Sequence, residues 1–324
     1  MTKKALVING GGSRGAFAVG ILKQLSCMHP VLQFDMCCGT SSGALIATMA
    51  VLGELEILEK IFTGNKTQDI IATGNILDRF VNNNSLYNAT PLQLKIGSIL
   101  TDSRSNKLIS SDKSLFIGCN NMQTGRTTYF TNNLQAAGKH YDLHPINDPS
   151  TLRNAVMAAY SMPVFMAPML IGEHQYTDAG AINNTSIQLA IDHGATDIYV
   201  ILHTPSQMPT TGFEYRNVLD MLEHTADRLA ADNTQPHLPI LYNQTLDYLH
   251  TIKSNMKNAG LKEQDIASFF DTPDNPFAGR QKVNIHMIRP DQPLDGGPGG
   301  LDYVPGDMRI MLEAGVKKAA TLFP

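Results

Sequence analysis

A short apolar run that stops on glycines and resumes as a helix occurs twice before residue 54, and this repeated unit restricts the fold more than any other feature. In the first copy, Ala5 to Ile8 is continuously apolar and Asn9 ends it. Gly10-Gly11-Gly12-Ser13-Arg14-Gly15 then leads into AFAVGILKQL, where Phe17, Ile21 and Leu25 recur at helical spacing. In the second, a strand around Phe34 to Cys38 runs into Gly39-Thr40-Ser41-Ser42-Gly43, followed by the alanine-rich ALIATMAVLG. Strands with no polar face belong in the middle of a parallel sheet covered on both sides. Intervening helices supply the crossover that parallel pairing needs. The expected class is α/β, with a mainly parallel central sheet flanked by helices.

The rest of the chain continues the alternation. Thr90-Pro91 opens a helix within Ser85 to Leu100, Leu115 to Cys119 and Thr127 to Thr131 read as paired strands around Gly125, and Leu152 to Tyr160 is helical. Tyr176 to Gly180 sits at a strand end, before a helix through Ile187 to His193 and a buried strand, Asp197 to Leu202. A last strand, Val283 to Ile288, precedes a glycine-rich loop at Gly296 to Gly300 and a closing helix, Pro305 to Thr321. Residues 206–281 interrupt this order with a long helical stretch, Val218 to Lys257, and a Pro/Gly-punctuated segment, Asp271 to Gly279. Such a length can wrap around one sheet, so residues 1–324 are expected to form a single domain with a helical elaboration at about 206–281.

Composition narrows the function. Hydrophobic residues make up 43% and charged residues 17%, which excludes long disorder and coiled coil. Net charge is −4 with no run of one sign, so nucleic acid is not an expected partner. Cys27, Cys37, Cys38 and Cys119 lack the spacing of a zinc or redox site and read as buried thiols of a reducing compartment; no metal and no cofactor is expected. MTKKALVIN does not read as a secretory signal. The longest apolar-rich stretch, Asn154 to Gly172, is broken by Pro163 and Pro168 and should not span a bilayer. The expected location is cytoplasmic or at a membrane periphery, with export lacking a cleaved signal left open.

Gly39-x-Ser41-x-Gly43 at a strand-to-helix junction has a mechanical meaning. The glycines let the backbone turn sharply and lift the serine hydroxyl above the sheet edge, at the positive end of the next helix. A bland alternative is a glycine-rich turn with a serine cap. The familiar triad, with acid and histidine downstream on an α/β-hydrolase sheet, fits poorly, because only one strand and one helix precede Ser41. His174, His193 and His203 lie near later strand ends, but none sits in a motif, and each reads as a surface or capping residue. The first turn also fits G-x-G-x-x-G and could hold a dinucleotide. That site wants a carboxylate at the end of the second strand, whereas Asp35 stands at its start. The other use of Gly11, Gly12 and the following amides is an anion nest for an oxyanion, with Arg14 adding positive field or serving a structural ion pair.

With these residues in view, the chain resembles the patatin-like phospholipases. VINGGGSRGAF is similar to that family's glycine-rich oxyanion loop, FDMCCGTSSGAL to its serine elbow, and YTDAGAINN to its third block. The likeness extends into RNAVMAAYSMPVFMAPML, GATDIYVI and the closing IHMIRP and LDYVPGDMRIMLEAG. It implies a patatin-like three-layer α/β/α fold and a Ser–Asp dyad, with Ser41 as nucleophile and Asp178 as its base. The oxyanion loop would comprise Gly10, Gly11, Gly12, Ser13, Arg14 and Gly15, and the elbow Gly39, Thr40, Ser42 and Gly43 around the serine. Ala179 and Gly180 would complete the third block, where the family has Asp-Gly-Gly or Asp-Gly-Ala. If the middle position takes positive φ, alanine there would be strained by about 1 kcal/mol. Asn183 and Asn184 are expected to hold that loop through side-chain to backbone hydrogen bonds.

The resemblance implies a carboxylic ester hydrolase acting through an acyl-enzyme on phospholipid, lysophospholipid or another acyl-ester lipid, with transient contact at a membrane surface. A lipid-binding or interaction protein on the same fold, with an idle dyad, is the non-enzymatic alternative. Met157, Met162, Met166 and Met169, with Phe165, could wall an acyl groove, although core packing is the favoured account of an apolar stripe.

Overall fold

The computed structural model describes residues 3–29, 32–74, 78–79, 82–135, 138–180, 186–207, 221, 225 and 237–323. The repeated unit folds as expected: β1 (Lys4–Ile8), α1 (Gly15–Met28), β2 (Met36–Thr40) and α2 (Ser42–Leu52). Next come α3 (Leu55–Gly64), a small antiparallel pair β3 (Ala72–Thr73) and β4 (Tyr87–Asn88), α4 (Thr90–Ile99) and α5 (Asp102–Ile109). The middle of the chain forms β5 (Ser114–Asn121), β6 (Thr127–Thr131), β7 (Tyr141–Pro145), α6 (Pro149–Tyr160), β8 (Met169–Ile171) and β9 (His174–Asp178). After α7 (Ser186–Asp192) and β10 (Asp197–Ile201) come α8 (His237–Asn258), α9 (Glu263–Phe270), β11 (Asn284–Ile288) and α10 (Pro305–Leu322). The first part of the expected Val218 to Lys257 helix, and Asn183 and Asn184, fall outside the described residues.

The main sheet runs β11-β10-β1-β2-β5-β6-β7, parallel from β11 to β5. Alternation through the strands feeds two cores. Leu6, Ile8, Cys37, Leu115, Ile117 and Ile201 face one, shared with α1, α2, α6 and α10; Ala5, Val7, Met36, Cys38, Phe116, Ile198 and Val200 face the other, shared with α7. Burial on both faces explains why these strands read as unbroken apolar runs. Helices α1 and α10 meet at glycines: a Cβ at Gly20 would lie 2.0 Å from the Leu312 carbonyl oxygen, and one at Gly315 would lie 2.1 Å from that of Phe17.

Parallel pairing fails at β5, and this places the site. Its edge toward β2 is occupied in succession by two strands. β2 runs parallel as far as Thr40 opposite Gly118, and β9 then arrives antiparallel with Asp178 opposite Cys119. The two strands therefore end against each other, and their last residues are neighbours.

Among the described residues no helix is long and apolar enough to cross a membrane. Met157, Phe165 and Met166 are buried in the first core, with Met162 and Met169 partly buried against it, so core packing explains the methionine stretch. Buried thiols are correct for Cys37, Cys38 and Cys119 and wrong for Cys27, which is exposed near the end of α1.

Candidate active site

Ser41 follows β2 with φ 50° and ψ −133°, a conformation that costs a residue with a Cβ about 1–3 kcal/mol and persists only where its surroundings enforce it. Close backbone packing does so here. A Cβ at Gly39 would lie 2.2 Å from the Gly43 carbonyl oxygen, and one at Gly43 would lie 2.3 Å from that of Ile8, so glycines on both sides let the bend close. The Ser41 side chain makes no capping hydrogen bond to α2, which removes the serine-cap reading. Thr40 and Ser42 are buried beside it.

The Asp178 carboxylate is buried at the end of β9, beside the end of β2 that leads into Ser41. The Gly180 amide donates to Asp178 Oδ1 at 2.7 Å, and the Asp178 amide donates to the Ser161 carbonyl at 2.9 Å, just beyond α6. Burial pushes the Asp178 carboxyl from 3.8 up to about 6, against the opposing pull of the Gly180 hydrogen bond and the neighbouring Ser41 side chain. Ala179 takes no positive φ, so the strain expected from an alanine there is absent; the turn closes through the side chain of Asp178 instead.

The glycine turn after β1 lies against the serine. A Cβ at Gly10 would stand 2.5 Å from Ser41 Cβ and 3.2 Å from its Oγ, an approach open only to glycine. Within the turn the Arg14 amide donates to the Gly11 carbonyl, and the Gly15 amide donates to those of Gly12 and Ser13. Arg14 and Gly15 are thus committed to the turn that starts α1. Among the described residues, the amides of Gly11, Gly12 and Ser13 have no acceptor. The Arg14 side chain reaches the C-terminal glycine loop. It donates from Nη2 to the Gly297 carbonyl at 2.6 Å and from Nε to that of Asp295 at 3.2 Å. The C-terminal glycine loop is thereby clamped onto the first, and a Cβ on Gly300 would lie 2.1 Å from the Gly11 carbonyl oxygen.

Of the histidines read as surface or capping residues, His193 caps a helix end although it is buried, and His203 departs from that reading. His193 and His203 are buried; His193 Nδ1 reaches the Leu189 carbonyl at 2.9 Å as a helix-end contact, while His203 packs behind the glycine turn. Asp35 precedes β2 and accepts the Lys4 amide at 2.7 Å, so it is not at the strand end where a ribose would be held. Among the described residues no cluster of three or more metal-ligating side chains occurs.

A serine on a strained strand-to-helix elbow, facing a buried carboxylate beside a turn of uncommitted amides, on a mostly parallel sheet, defines the serine-elbow class of α/β proteins. The model of the patatin-like phospholipases matches residues 6–191, and the chain belongs to that family. It is similar to a cGAMP-activated phospholipase of Escherichia coli (strain TW11681), 26% identical over 197 residues, which cover 56% of this chain and 52% of that one. It is also similar to a cUMP-AMP-activated phospholipase of Escherichia coli, 36% identical over 64 residues, 18% of this chain and 20% of the relative. The match thus spans about half the length of the first relative and a fifth of the second. Among solved structures, VipD from Legionella pneumophila superposes with a TM-score of 0.48 at 12% identity, covering 99% of this chain and 67% of that one.

Proposed function

We propose that the protein is a lipid acyl hydrolase of the phospholipase A or lysophospholipase type, working through Ser41 and Asp178. Ser41 Oγ attacks the ester carbonyl while its proton passes to the Asp178 carboxylate. The amides of Gly11 and Gly12 receive the developing oxyanion. Collapse expels the alcohol, which takes the proton, and leaves an acyl-serine; water deprotonated by Asp178 then releases the fatty acid. The observation that carries this reading is the convergence of β2 and β9 on the same edge of β5, which sets Ser41 beside a buried carboxylate that burial raises to about 6. An ordinary aspartate is too weak a base for a hydroxyl, and the rise to about 6 brings it nearer the value a general base needs while leaving it ionised at neutral pH. The substrate would be drawn from a lipid surface.

The test is hydrolysis of a short-chain p-nitrophenyl ester and of phospholipid vesicles. Ser41→Ala and Asp178→Asn, both folded, should each lose about a thousandfold or more in kcat/KM, and a fluorophosphonate should label Ser41. Full activity in either variant would defeat the dyad. Absence of labelling would favour the lipid-binding alternative. Both curated relatives are named for activation by a cyclic nucleotide signal. The same control is proposed here, and the vesicle assay repeated with and without cyclic dinucleotides checks it.

A further inference from the structure

Three neighbouring strands bring one residue each to a single row across the top of the sheet. In the ladders, Gly39 of β2 pairs with Ile8 of β1, and Ile8 pairs with Ile201 of β10. Two positions further along, the same row holds Ser41, Gly10 and His203. A Cβ on Gly10 would strike Ser41, whereas one on Gly11 would lie 2.8 Å from the His203 ring. The glycine turn is therefore gripped between the serine on one side and the imidazole on the other.

His203 is buried, and its Nδ1 lies 3.1 Å from the Gly10 carbonyl oxygen. A carbonyl only accepts, so Nδ1 carries the proton and donates. Burial, reinforced by the nearby Arg14 charge, pushes the ring down to about 4 against the opposing Gly10 hydrogen bond, so it is neutral across the working range with its single proton on Nδ1. Nε2 is buried and has no partner among the described residues, so the Gly10 contact is the polar interaction that fixes the ring. In a trans peptide the carbonyl and the following N–H point in opposite directions. Drawing the Gly10 carbonyl toward His203 therefore turns the Gly11 N–H away from the imidazole, toward the face that carries Ser41.

We propose that His203 is a positioning residue for the reaction: its Nδ1–H bond to the Gly10 carbonyl sets the Gly10–Gly11 peptide plane, so that the Gly11 amide is aimed in advance at the oxyanion. The proposal rests on the Ser41–Asp178 reading above. His203 does not touch the substrate, and its effect is on the geometry of the donor that does.

The experiment compares His203→Phe, which keeps a ring and removes the donor, with His203→Asn, whose amide nitrogen can occupy the Nδ1 position. With a p-nitrophenyl ester, His203→Phe should lower kcat about 10- to 100-fold with KM within about twofold, and slow phosphonylation of Ser41 by a fluorophosphonate in step, because an oxyanion donor acts in the transition state. His203→Asn should recover most of the loss. A folded His203→Phe protein with unchanged kcat, or a His203→Asn protein as slow as His203→Phe, would overturn the proposal. Should the phenylalanine variant not fold, the nitrogen-15 spectrum of histidine-labelled wild-type protein decides: the Nδ1–H tautomer at His203 is expected, and an Nε2–H tautomer refutes it. Wild-type protein inactive toward every ester would instead count against the hydrolase reading, while the tautomer measurement would still test the histidine contact.

Discussion

Replacing Asp178 with asparagine separates its stability role from its chemistry. The folded chain holds the Asp178 proton up to about pH 6, while the unfolded chain releases it near the ordinary 3.8. Between those values the folded state binds more protons, so the contribution of this group to stability falls as pH rises, from nearly nothing below 3.8 to its full penalty above about 6. At about 1.36 kcal/mol for each tenfold change in proton affinity, the rise from 3.8 to about 6 makes that penalty about 3 kcal/mol at neutral pH. Asparagine has the same shape and can still accept the Gly180 amide, which donates to Asp178 Oδ1 at 2.7 Å. The Asp178→Asn protein should therefore be more stable than wild type by about 2–3 kcal/mol at pH 7.5, and by less than about 1 kcal/mol at pH 4. Urea unfolding of both proteins at the two pH values measures the difference, and the comparison cancels every other titrating group. Wild-type kcat/KM should climb to a plateau as pH passes about 6, where the base ionises in the free enzyme. A stability gap of the same size at pH 4 and pH 7.5 would refute the reasoning, since it could not arise from burying a charge.

Two further outcomes follow from the same contacts. Gly300 has φ +69°, and its added Cβ would stand 2.1 Å from the Gly11 carbonyl oxygen; Gly300→Ala should destabilise by about 1 kcal/mol or more and, by displacing the glycine turn proposed to receive the oxyanion, lower kcat by roughly 10²-fold, as thermal melting and ester hydrolysis will report. Burial pushes the Cys37 thiol up to about 12 and raises Cys38 and Cys119 well above their usual range, so a thiol reagent such as 5,5′-dithiobis(2-nitrobenzoate) should modify exposed Cys27 in the native protein and reach the other three only on unfolding.

The extent to which the site could be read from the chain follows from the range of the interactions that build it. The strand–glycine–helix units are local: apolar runs, breakers and helical spacing lie within a dozen residues of one another, and β1, α1, β2 and α2 form where those signals stand. Ser41 is legible for the same reason, since the glycines that permit its bend are its own near neighbours. The meeting of Ser41 with Asp178 is not local. It depends on β9 reaching β5 antiparallel, immediately beyond the last residue of β2. A slip of one residue in that register would turn the carboxylate to the opposite face of the sheet, and neither periodicity nor composition records register. Motif resemblance supplied the pairing without the reason for it. The histidine behind the glycine turn was hidden by a different ambiguity. Imidazole is common both at surfaces and in cores, and nothing around His203 in the chain marks it as buried; its significance comes from lying two residues past a strand whose partner ends in glycines. Gly296 to Gly300 did carry a signal, because four of its five residues are glycines, all with positive φ. Such density means close backbone approach as readily as it means a flexible loop. Here it means approach: one glycine turn is moulded against another from the opposite end of the chain, so a change in the C-terminal segment is transmitted to the amides beside Ser41 through main-chain contact and through the Arg14 side chain.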